Sequence, residues 1–180
     1  MRAIEICASI FQFFHPESVK NLVSEAFSWL TCFMQEKKNT AYARVQIAYD
    51  GRVSKWFLGP QAQARYANEV RVLEYLEKKG CPFVPHLLDK KDAELKIKTT
   101  NCGQKVEHLS EQKCRALFDE LESYGVRHRD QALRNITYSA QLGRFCLIDF
   151  EFATILEAGY NPGPEICDSP ERSRNEKFNW

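Results

Sequence analysis

The pair Asp50-Gly51 constrains this chain more than any other feature of its sequence. On either side, "AYARVQIAY" and "RVSKWFLG" alternate apolar and polar residues with the period of a β-strand. Asp-Gly between two such runs supplies the backbone freedom that a tight reversal needs, so residues 41–59 are expected to form an antiparallel hairpin. On its second strand Val53, Lys55 and Phe57 share one face, which puts a lysine among apolar neighbours.

The flanking segments have the helical period instead. From Pro16, Val19, Leu22, Val23, Ala26, Phe27, Leu30 and Phe33 line one side of an expected amphipathic helix. After the hairpin, "QAQARYANEVRVLEYLEKKG" carries a stripe through Tyr66, Val70, Leu73 and Leu76 and should stop at Gly80. A second hairpin follows, with "ELKIKTTNCG" as its better strand. Ser110 can cap a further helix whose Cys114, Leu117, Phe118, Leu121 and Tyr124 face one way before Gly125 ends it. "NITY" and "RFCLIDF" then read as short strands joined through Gly143, and the tail from Tyr160 as irregular. Strands gather early and do not alternate with helices, which argues for an α+β fold rather than a doubly wound sheet.

Four charges stand where this pattern expects apolar residues. Lys55 lies in a strand, and Glu69 falls on the packed face of its helix. Asp130 comes just past a buried helix end, and Asp149 closes the run Phe145, Cys146, Leu147, Ile148. A charge on a packed face is costly unless paired, and Lys55 and Glu69 match in sign. Taken singly, Glu69 could curl off its helix and Lys55 could extend its stem to water. The loop "YGVRHRDQALRN" could likewise be a solvated connector.

Together these residues resemble, in chain order, the protein kinase-like superfamily. His128-Arg129-Asp130 with Asn135 is similar to the catalytic loop H-R-D-x-x-x-x-N, and Ile148-Asp149-Phe150-Glu151 is similar to the metal-binding Asp-Phe-Gly at a strand end. The resemblance covers about residues 41–151 and implies a protein kinase-like fold. Residues 1–40 would then be an N-terminal helical extension, 41–100 a small β-rich lobe with a helix of the αC type, and 101–180 a strongly reduced helical lobe. Lys55 would hold the nucleotide phosphates and Glu69 would fix its ammonium. Asp130 would accept or orient the proton of the attacking hydroxyl, while Asn135 and Asp149 would bind Mg²⁺. His128 would pack beneath the loop, and Arg129 would bind a phosphate on the segment after Asp149. The implied activity is transfer of the γ-phosphate of ATP, with Mg²⁺, to a hydroxyl on a protein substrate.

The chain also departs from that pattern. Its first glycine is Gly51, so no Gly-rich loop precedes Lys55, and the polar stretch "QEKKNTAY" stands where phosphates would be covered. Glu151 replaces the glycine after Asp-Phe, and "IDFE" is also similar to small-molecule kinases of the choline and aminoglycoside type. Asp149 lies close to the last residue, so a second protein completing the reduced lobe is an expected partner. Three alternatives therefore stand beside the protein kinase: a pseudokinase acting as a binding module, a small-molecule kinase, and an unrelated α+β domain. The retained Lys55, Asp130, Asn135 and Asp149 favour catalysis, because charges beside a core destabilise a fold that does not use them.

Composition narrows the setting. Lys plus Arg number 25 against 24 Asp plus Glu, scattered rather than striped, so no nucleic-acid partner is expected. Seven cysteines without a C-x-x-C pair, and four dispersed histidines, argue against a zinc site or a disulfide framework. The apolar run "AIEICASIFQFF" carries Glu5, lacks a small-residue cleavage site and is shorter than a membrane span. A cytoplasmic protein with no membrane association is the expectation.

Overall fold

Alternation around Asp50-Gly51 gives β2 (Ala43–Ala48) and β3 (Val53–Phe57), paired antiparallel with Val45 opposite Lys55 and Ile47 opposite Val53. The turn is one residue longer than a two-residue reversal. Gly51 N–H donates to Ala48 O at 2.9 Å, and Gly51 sits at φ 78°, the left-handed position of a bulged three-residue loop. The computed structural model describes residues 34–166. The expected helix over residues 16–33 lies outside them. The chain divides into two compact units, Met1–Gln35 and Glu36–Trp180.

With β1 (Met34–Asn39), β4 (Leu87–Lys91) and β5 (Lys96–Thr99), the hairpin forms a five-stranded sheet in the order β1-β2-β3-β5-β4. α1 (Ala62–Lys78) lies between β3 and β4 in sequence and packs its Tyr66, Val70, Leu73 and Leu76 into a core shared with Phe57 and Ile97 of the sheet. It ends as the sequence requires. Gly80 takes φ 68° and donates to Glu77 O, while Cys81 N–H reaches back to Leu76 O, so the last carbonyls are satisfied by a Schellman motif.

α2 (Glu111–Ser123) starts at Ser110, whose side chain accepts the Lys113 N–H at 3.4 Å, and buries Cys114, Leu117, Phe118 and Leu121. Two small antiparallel sheets complete the fold. One orders β6 (Gln104–Lys105), β8 (Ile136–Ser139) and β9 (Arg144–Leu147), and the other pairs β7 (Val126–Arg127) with β10 (Thr154–Ile155). The described residues are thus α+β, with antiparallel pairing throughout β2–β10 and two helices. Two-residue strands such as β6, β7 and β10 are too short to show a period, and the sequence gives no sign of them. None of the described helices is long and apolar enough to cross a membrane.

Gly125 joins α2 to β7 at φ 82°, and a Cβ there would lie 2.6 Å from the Tyr75 hydroxyl oxygen of α1. Tyr75 is buried and donates to Glu157 at 2.8 Å, so its ring has little room to yield. Gly125→Ala is expected to cost roughly 1–3 kcal/mol of stability, read as a lowered urea midpoint. An unchanged midpoint would mean that the helix end relaxes freely.

Candidate functional site

Lys55 leaves the middle of β3 on the face that meets α1, and is only 8% exposed. Its ammonium Nζ donates to Glu69 Oε2 at 2.6 Å and to Asp149 Oδ1 at 2.5 Å, and lies 3.3 Å from Glu151 Oε2. Three segments far apart in sequence therefore meet at one nitrogen. Glu69 comes from α1, and both acids two residues apart come from the turn after β9. The expected strand run stops at Leu147; Asp149 itself adopts φ 68°, which a short polar side chain tolerates better than a branched one. A turn closed by Ala153 N–H to Phe150 O follows, and both carboxylates reach the same cation.

Burial and charge set the titration of this group. Desolvation alone would lower the Lys55 pKa, but Asp149, Glu151 and Glu69 more than reverse it and hold the ammonium charged well above the ordinary lysine range. Glu69 responds oppositely. Burial, aided by Asp149 and Glu151, pushes it up to about 7 against the pull of Lys55. One ammonium shared among three carboxylates satisfies the ammonium better than any single acid. A carboxyl raised this way adds stability below its unfolded value near 4.5 and loses it as pH rises through 7.

Arg65 extends the network and is fully buried. Its Nη1 donates to Glu151 Oε2 at 3.1 Å, its Nε to Pro60 O at 3.2 Å, and its Nη2 to Tyr42 O at 3.1 Å and Leu58 O at 2.5 Å. Next to Glu69, the Asn68 amide donates to the carbonyls of Phe150, Glu151 and Ala153 at 3.4, 3.1 and 2.9 Å. Arg65, Asn68, Glu69 and Val72 recur at i, i+3, i+4 and i+7, so α1 has a second buried face turned to residues 149–153. That spacing was present in the sequence. The stripe through Tyr66 explained the helix without it, and Arg65 and Glu151 were missed as partners.

Asp130 and Asn135 form a second, adjoining group. A short turn, Leu133–Asn135, brings Arg134 Nη2 within 2.5 Å of Asp130 Oδ1 and Asn135 Nδ2 within 3.2 Å of Asp130 Oδ2 and 2.8 Å of its carbonyl. The groups are joined through backbone. Asn135 O accepts from Ile148 N–H at 3.0 Å, and His128 Nε2 lies 3.1 Å from Ile148 O. Glu69, Asp149 and Glu151 each bring a carboxylate oxygen within 4.8 Å of the others, a set of hard donors that could hold a divalent cation. The Asn135 amide nitrogen is turned to Asp130. Arg129 donates to Gly163 O and Pro164 O at 3.4 and 3.3 Å, so in this structure backbone carbonyls of the following segment take its guanidinium.

No protein-family model matches this chain, and no curated protein matches it either. The site therefore rests on its own geometry.

His128 is 1% exposed between Phe118 and Phe150, and burial lowers its pKa. The unfolded chain protonates this residue first, so the stability that neutral His128 contributes is complete above about pH 6.5 and is lost as pH falls below it. His128→Asn is expected to flatten the acid side of the stability profile between pH 6.5 and 5, measured by urea unfolding at each pH. Parallel profiles would show that His128 titrates alike in the folded and unfolded chain.

Proposed function

We propose that the chain is an ATP-dependent phosphotransferase of protein kinase type, moving the γ-phosphate of Mg²⁺–ATP to a hydroxyl on a protein. The observation that carries this reading is the Lys55 ammonium held between Glu69 at 2.6 Å and Asp149 at 2.5 Å. Phosphoryl transfer asks a protein for position and charge rather than covalent chemistry. A lysine fixed from behind by a buried glutamate can present its charge to phosphate oxygens without losing its own orientation. Val45, Ile47 and Val53 are half-buried on the same sheet face, an apolar surface against which a base can lie.

Asp149 and Asn135 would hold Mg²⁺, and their oxygens suit it. An ion held there would supply positive charge to offset that of the phosphates. Asp130, oriented by Arg134 and Asn135, would take the hydroxyl proton. A small β-rich lobe packed on a helix, followed by the loop group, accords with the kinase-like fold that the sequence resemblance implies.

A second reading, a pseudokinase that serves as a binding module, has one observation in its favour. At the turn between β1 and β2, the N–H groups of Tyr42 and Ala43 both donate to Thr40 Oγ1, at 3.3 and 3.1 Å. Backbone donors that could cradle phosphates are spent internally. Thermal unfolding separates the two readings. Millimolar Mg²⁺–ATP is expected to raise the melting temperature by roughly 3–6 °C, and Asp149→Ala to remove the rise. A wild-type chain that shows no shift supports the binding module.

A further inference from the structure

We infer that Glu151 is a positioning residue for Lys55: clamped by Arg65, it keeps the ammonium in place when the Asp149 carboxylate turns away to a cation. Three acids meet Lys55, but they are not equivalent. The side chains of Glu69 and Glu151 are 6% and 7% exposed, whereas that of Asp149 is 23% exposed. Glu151 Oε2 touches two cations at once, Lys55 at 3.3 Å and the fully buried Arg65 at 3.1 Å. Arg65 is in turn fixed by three backbone carbonyls, and Asn68 holds the Glu151 carbonyl itself at 3.1 Å. Glu151 is the acid with least freedom to leave, and Asp149 the one with most.

Charge balance gives the arrangement its use. Lys55 and Arg65 carry two positive charges, and the carboxylates of Glu69 and Glu151 can answer both once Asp149, whose charge disfavours ionised Glu69, has moved off. A buried ammonium stripped of its partners is strongly disfavoured. With Glu69 alone behind it, Lys55 would be held at a single point once the Asp149 carboxylate moved. With Glu151 as a second buried anchor, the two separate, and lysine and aspartate can serve different parts of one ligand. This also gives a reason for a glutamate at a position where the kinase pattern has glycine.

Amine-specific acylation read by mass spectrometry tests the anchor on the full chain without any nucleotide, using Lys98 as internal reference. Lys55 is expected to label slowly in wild type, Glu151→Gln and Asp149→Asn, all within about twofold. In the double variant its rate should rise at least tenfold. Equal rises in Asp149→Asn alone and in the double variant would overturn the inference. Should the double variant not fold, Asp149→Asn with Glu151→Asp takes its place, since the shorter acid cannot bridge both cations. The second arm rests on the phosphotransferase reading. Glu151→Gln should weaken ADP binding about tenfold with Mg²⁺ and leave it unchanged in EDTA, whereas equal losses in both conditions would count against a positioning role. A wild-type chain that binds no nucleotide would sink the proposed function, and the labelling arm would still decide the anchor.

Discussion

Arg65→Ala is expected to lower the stability of the chain by about 3–5 kcal/mol, because it strands a buried carboxylate and opens the space that a large side chain filled. Arg65 is fully buried, its one acidic partner among the described residues is Glu151, and its other donors serve the carbonyls of Tyr42, Leu58 and Pro60. Those carbonyls bracket the two ends of the β2–β3 hairpin, so the guanidinium joins hairpin, helix and the turn after β9 at one point. A loss of that size is a large share of the stability of an ordinary domain. Arg65→Lys should recover only part of it, since an ammonium cannot reproduce a planar fork with five donors. Urea unfolding of the two variants measures both effects. A loss below about 1 kcal/mol for Arg65→Ala would mean that Glu151 is satisfied by Lys55 alone.

Asp130→Ala should reduce phosphate transfer at least a hundredfold while leaving the Mg²⁺–ATP thermal shift intact. Asp130 is 3% exposed and held by Arg134 and Asn135, whereas Lys55 is held by Glu69 and Asp149, so loss of Asp130 should spare nucleotide binding. Incorporation from γ-labelled ATP into the chain itself or a generic protein acceptor is the measurement. Sugars, choline and aminoglycosides run in parallel address the small-molecule kinase. Transfer that persists undiminished in Asp130→Ala would show that the proton acceptor is another residue. Loss of the thermal shift together with transfer would place Asp130 in the binding of nucleotide instead.

Much of the fold was readable because it is local. Asp50-Gly51 marked the hairpin, Gly80 and Gly125 the ends of the two helices, and Ser110 the start of the second; each acts through its own backbone within a few residues. The convergence of Lys55, Glu69 and Asp149 was foreshadowed by a different signal, charges on faces or runs that are otherwise apolar. Arg65 gave no such warning, and Glu151, though flanked by Phe150 and Phe152, was read only as a departure from the Asp-Phe-Gly pattern. Arginine is common on helix surfaces, and its acidic partner lies 86 residues further along the chain. The strand pair β7–β10 was hidden for a similar reason, since two residues carry no period and their partner is supplied only by folding.

What the sequence determined alone was the set of elements and the identity of the charges that could not be left unpaired, because dihedral preference and the cost of burying a charge belong to residues taken singly. Which acid answers which base was decided by tertiary structure. Three carboxylates meet Lys55, and only the packing of α1 against residues 149–153 leaves two of them buried and one part-exposed. Coulomb energy depends on distance and on the exclusion of water, and neither exists until the chain has closed on itself.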